Sequence, residues 1–91
     1  PLTGLPNRAL FNDTAEKALA RMSPDEPLAI ILLDIDRFKH INDRYGHLAG
    51  DALIQEVARR LCRIAGDAEM VARLGGDEFA ILLRYRNDLR I

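Results

Sequence analysis

The chain has one cysteine and no tryptophan, its aromatic residues make up 5% of the total, and its net charge is only −1. Each shortage excludes something. A single cysteine, Cys62, rules out an internal disulfide and fits a reducing compartment. It lies among apolar residues at helical spacing, so it reads as a small core residue rather than a reactive thiol. The longest apolar run is "LAIILL", Leu28 to Leu33. That is far below membrane-spanning length, and no signal-peptide pattern precedes it. No direct membrane contact is expected from this segment. A near-neutral balance also excludes a broad basic footprint for nucleic acid, so an anionic ligand needs a local site. Internal repeats and low-complexity tracts are absent.

What remains is a chain of 91 residues, 48% hydrophobic and 30% charged, enough for one modest domain with a core. "PLTGLPNR" opens with turn residues, and Asn7 is placed to cap a helix whose apolar positions are Leu10, Phe11, Ala15, Ala18, Leu19 and Met22. Pro24 and Pro27 end it. The run Leu28–Leu33 is too short for a buried helix and predicts a central strand covered on both faces. Phe38, Ile41 and Tyr45 predict a short helix closed by Gly46. A longer helix is expected from about Gly50–Asp51, with Leu53, Val57, Leu61 and Ile64 inward and Glu56, Arg59, Arg60 and Arg63 outward. Met70–Leu74 and Phe79–Leu83 then form a β-hairpin. Helix, strand, helices and hairpin in this order predict an α/β or α+β fold with a partly antiparallel sheet.

The hairpin reads "ARLGGDEFAIL". Two adjacent carboxylates, Asp77 and Glu78, at a tight turn repel each other, and a turn serving only to reverse the chain has cheaper residues available. A cation is therefore expected. Asp34 follows the buried strand, and if that strand lies beside the hairpin the three carboxylates gather at one end of the sheet. Mg²⁺ suits such a place, taking one or two carboxylates plus substrate phosphates. The helix after Asp36 offers unpaired N–H groups at a positive dipole end, a site for phosphate oxygens. Simpler roles exist for each residue: Asp36 as a helix N-cap, Gly75 and Gly76 as turn glycines, and Asp77 and Glu78 as solvated turn residues. Spacing alone supports a metal or phosphate site.

Three segments, "LTGLPNR", "LLDIDRFKHINDRYGHLAGDALI" and "ARLGGDEFAIL", stand in the order and spacing of the GGDEF family of diguanylate cyclases, which the chain resembles from Leu2 to Leu83. The resemblance implies an α+β sandwich like the palm of nucleotide cyclases and polymerases, with a mostly antiparallel sheet flanked by helices. It implies condensation of two GTP into cyclic di-GMP with release of pyrophosphate, dependent on Mg²⁺ or Mn²⁺. In that reading Asp34, the carbonyl of Ile35, Asp77 and Glu78 hold metal, and Asp77 also helps deprotonate the attacking hydroxyl. Asn42 and Asp51 read the guanine edge, and Phe38, Lys39, Gly75 and Gly76 approach the phosphates. Asn42 and Asp51 have helix-end roles as alternatives. Each domain of the family holds one GTP, so a homodimer is implied, along with an upstream sensor or receiver domain and a cytoplasmic location. The alternative function is a non-catalytic GTP-binding or dimerisation module; the intact Gly75–Phe79 motif favours the enzyme.

Two departures from the family pattern carry expectations. The chain stops soon after the hairpin, so residues 1–91 are expected to be the N-terminal portion of a domain whose C-terminal part is missing. The family's basic pair for the outer phosphates then has only Arg84, Arg86 and Arg90 as loose candidates, and turnover by these residues alone is in doubt. Many relatives also carry an RxxD product-inhibition motif before the hairpin. Its first and last positions here are Gly66 and Glu69. Glycine has no guanidinium to fork onto phosphate, Arg63 lies three residues too early, and Arg73 offers at most a weaker surface. No product-inhibition site is expected.

Overall fold

The computed structural model describes residues 2–84. Its elements are α1 (Arg8–Ala20), β1 (Leu28–Asp34), α2 (Phe38–Tyr45), α3 (His47–Ala65), β2 (Met70–Gly75) and β3 (Glu78–Arg84). The three strands form one antiparallel sheet in the order β1-β3-β2, so the α+β expectation holds. Among the described residues no helix is long and apolar enough to cross a membrane.

The two faces of β3 build two cores. Alternate strand residues point to opposite sides, which sends Ala80 and Leu82 to one face and Phe79 to the other. On the first side Ala72, Ala80 and Leu82 pack with Phe11, Ala15 and Ala18 of α1. On the second, Phe79 packs with Ile54 and Ala58 of α3. The sheet is thus sandwiched between α1 and α3 at its β2–β3 side. The Asn7 side chain caps α1 as expected, accepting from the Leu10 N–H at 2.9 Å.

The strand expected at the centre is not there. β3 is central, and β1 has a single neighbour among the described residues. Leu32 is 69% exposed and Ile30 47%. The reason is placement: both α1 and α3 contact β2, so within residues 2–84 only Leu28 and Ala29 of β1 are half-buried and Ile30–Asp34 are exposed. An unbroken apolar run signals two faces that can be buried; it does not say which element buries them.

The helices also correct their expected faces. In α1 the buried line is Phe11, Ala15 and Ala18, while Leu10 and Leu19 are exposed; Met22, also exposed, lies past the helix end at Ala20. α3 starts at His47 rather than near Gly50, because Gly46, at φ 92°, ends α2 and begins α3 at once. Its buried line is Gly50, Ile54 and Ala58; Leu53, Val57 and Leu61 are partly buried and Ile64 is exposed. Cys62 continues that i, i+4 row but is exposed, against expectation. Each step of four residues drifts about 40° round a helix, so the row has left the buried face by Cys62. Glu56 pairs with both Arg59 and Arg60 on the outer side, the solvated face expected.

Candidate functional site

β1 and β3 pair so that Asp34 stands directly opposite Glu78. One step further, the Ile35 N–H donates to the Asp77 carbonyl at 3.1 Å, locking the exit of β1 onto the hairpin turn. Gly75 and Glu78 form the closing rung of the turn, with Gly76 and Asp77 between them. Gly76 takes φ 50°, the left-handed region that glycine enters without a Cβ clash. Arg73 braces the turn, donating from two guanidinium nitrogens to the Gly76 carbonyl at 3.0 and 2.9 Å.

The backbone therefore brings Asp34, Asp77 and Glu78 to one end of the sheet. Their side chains do not form a cage: among the described residues no three His, Cys, Asp or Glu groups stand together as a metal site. Glu78 opens β3 in register with Asp34, whereas Asp77 lies in the turn, outside the strand pairing. In-register partners do share a face, which leaves Asp34 and Glu78 as an opposed pair. Two carboxylates fit a hard cation whose remaining positions are filled by water and phosphate oxygens. The pair lines an open cleft of about 310 Å³ together with Arg8, Leu32, Leu33, Leu74 and Phe79.

A second cluster lies where α2 packs on α3. The Asn42 Oδ1 is buried without a hydrogen-bond partner, unlike any other buried side-chain polar atom among the described residues. It rests against Gly50, where any Cβ would overlap it. Asp51 follows Gly50 and is exposed, so helix packing brings Asn42 and Asp51 to one locality. Asp51 is the fifth residue of α3, past the first turn, where the dipole effect has faded. A buried amide oxygen with no partner costs free energy, about 1–3 kcal/mol, unless a ligand group or water supplies a donor.

The start of α2 departs from one expectation. Asp36 is not the N-cap; Arg37 is, at φ 59° and ψ 30°, and no side chain caps the helix. Its first-turn N–H groups are thus left without a side-chain partner, as a phosphate site requires. The Phe38 side chain packs into the Ile54–Ala58–Phe79 core, so only its backbone can serve a ligand, while Lys39 is exposed.

Two residues that sequence reasoning passed over sit at these places: Arg8, ion-paired to Glu78 at 3.3 Å, and Gly50 under Asn42. The "LPNR" run and the glycine inside "HLAGDAL" were their only signals. Arg84 does not serve the hairpin tip. It ion-pairs with Glu26 and Glu69 at the other end of β3, about 20 Å away at strand rise. Arg86 and Arg90 lie outside the described residues. Glu69 is engaged by Arg84, and Arg73 by the turn.

Residues 1–90 match the family model described as "Diguanylate cyclase, GGDEF domain". The chain belongs to the GGDEF family. It is 51% identical over 83 residues to the diguanylate cyclase TpbB of Pseudomonas aeruginosa, covering 90% of this chain and 19% of TpbB. A solved GGDEF domain of TpbB from the same species superimposes with a TM-score of 0.82 at 49% identity, covering 90% of this chain and 48% of that one. The GGDEF domain of DgcB from Caulobacter crescentus, solved in complex with c-di-GMP, gives a TM-score of 0.88 at 37% identity, covering 97% and 52%. The GGDEF chain here thus spans about half of these solved chains and a smaller share of the full-length relative.

Proposed function

We propose that this GGDEF chain holds one GTP with Mg²⁺ or Mn²⁺ and contributes half of a diguanylate cyclase site, the other half coming from a second copy. The observation that carries the reading is the in-register pair of Asp34 and Glu78 beside the turn of Asp77. Asp34, Glu78 and the Ile35 carbonyl are the metal-holding groups. When bound, the metal neutralises triphosphate charge and acidifies the attacking 3′-hydroxyl. Asp77 receives the proton of that hydroxyl as its oxygen attacks the α-phosphorus of the GTP on the facing copy, and pyrophosphate leaves. The uncapped start of α2, with the backbone of Phe38 and Lys39, cradles phosphate oxygens, and Gly75 and Gly76 allow close approach of the hairpin.

Asp51 accepts from the guanine N1–H and amino group, and Asn42 supplies its amide to the same edge. The unpartnered Asn42 Oδ1 supports this role, because a buried acceptor awaiting a donor favours a base that carries one. A cytoplasmic setting and control by a sensor or receiver domain belong to the same proposal. The protein, at the length of the solved GGDEF domains, is incubated with GTP and Mg²⁺ and assayed for cyclic di-GMP and pyrophosphate. Both products are expected. GTP binding without synthesis would instead make it a binding or dimerisation module.

A further inference from the structure

The ion pair between Arg8 and Glu78 joins residues 70 apart in sequence and reaches directly into the candidate metal site. Its placement is not explained by the helix that carries it. Arg8 is the first residue of α1, and α1 has no acidic residue in its first turn. A cation at that end opposes the helix macrodipole, so helix stability argues against an arginine there. The sheet explains it better. Asp34 and Glu78 are like charges directly opposite each other across β1 and β3, an arrangement that destabilises a strand pair. Arg8 lines the same cleft as both carboxylates and, among the described residues, is the one basic residue to do so. Asn7 fixes the start of α1 through its cap, so the arginine is delivered from a defined backbone position.

We propose that Arg8 is a displaceable counter-ion of the site: it holds Glu78 in the empty protein, yields that carboxylate to a divalent cation, and then faces the triphosphate. The inference rests on the metal-nucleotide reading above and adds a residue to it. Arg8 and a cation compete for the same Glu78 oxygen, and both Arg8 and Glu78 are more than half exposed, so the existing contact is weak enough to exchange. Once released, a guanidinium presents several N–H donors suited to phosphate oxygens.

The consequence is a pair of effects of opposite sign. Arg8→Ala removes a competitor and a nearby positive charge, so Mn²⁺ alone binds about two- to fivefold more tightly. The same variant loses a phosphate partner, so a non-hydrolysable GTP analogue with Mn²⁺ binds about tenfold more weakly. Arg8→Lys keeps the charge and restores part of the nucleotide affinity. Calorimetry on the wild type and both variants reads all three, with circular dichroism checking the fold. Should Arg8→Ala fail to fold, the guanidinium NMR signal of Arg8 in the wild type is followed as Mg²⁺ is added without nucleotide, and it should move. Both affinities falling together, neither changing, or a stationary Arg8 signal would overturn the proposal. Failure of the wild type itself to bind Mn²⁺ would instead overturn the metal-site reading, and this inference with it.

Discussion

Replacing Gly50 by alanine tests the guanine assignment without touching any group assigned to the ligand. In an ordinary helix interior this change stabilises by about 0.5–1 kcal/mol, because glycine loses more backbone freedom on folding. At Gly50 the new methyl would overlap the Asn42 Oδ1 and lie 2.9 Å from its Cγ and 3.2 Å from the Phe38 Cζ. Asn42 is a short side chain on α2 and can rotate away, whereas Phe38 need yield only a few tenths of an ångström. Overpacking of this kind costs about 1–3 kcal/mol, which offsets the helical gain and leaves stability lowered by about 0–2.5 kcal/mol. The chain should stay folded with Asn42 swung out of place. GTP affinity should then fall about ten- to a hundredfold, the loss expected for one hydrogen-bonded partner in a buried position. Thermal melting gives the first quantity and calorimetric titration with GTP the second. Unchanged GTP affinity in a folded Gly50→Ala protein would refute the placement of guanine at Asn42. A stability gain of the full helical amount would show that the close contact is absent.

Asp34→Ala and Asp77→Ala should each abolish cyclic di-GMP synthesis while the melting temperature stays near that of the wild type, since both residues sit at element ends; activity near normal in either would remove it from the metal and proton roles. Titrating cyclic di-GMP during turnover should produce no inhibition through the loop before β2, because Gly66 has no side chain and Glu69 is held by Arg84; saturable inhibition surviving Arg63→Ala and Arg73→Ala would contradict this. The side-chain hydrogen bond from Arg59, then that from Arg60, holds Glu56 below the usual carboxylate range. A depressed folded-state value means that this contribution is present above the ordinary glutamate range and lost as pH falls through the lowered one. Glu56→Gln should therefore flatten the acid limb of the stability profile slightly, and an unchanged limb would show the pairs to be inert.

Read by itself, the sequence determined the elements and the chemistry each could offer. Local rules were enough for the Asn7 cap, the closure of α2 at Gly46 and the hairpin around Gly76, because each depends on a few neighbouring residues, while α1 ends at Ala20, ahead of the stop expected at Pro24 and Pro27. The motif register was enough for the family. Which apolar surface is covered is a different kind of fact. The Leu28–Leu33 run, the exposed Cys62 and the shifted stripe of α3 were misjudged because burial depends on which elements pack together, and spacing along one helix or strand does not contain that. Tertiary structure alone set Asp34 against Glu78, pressed Asn42 onto Gly50 and carried Arg8 across to the hairpin. The Asp34–Glu78 and Arg8–Glu78 contacts join residues far apart in the chain, and Asn42–Gly50 joins two successive helices, so their distances follow from the strand order and helix packing, not from any local pattern of residues.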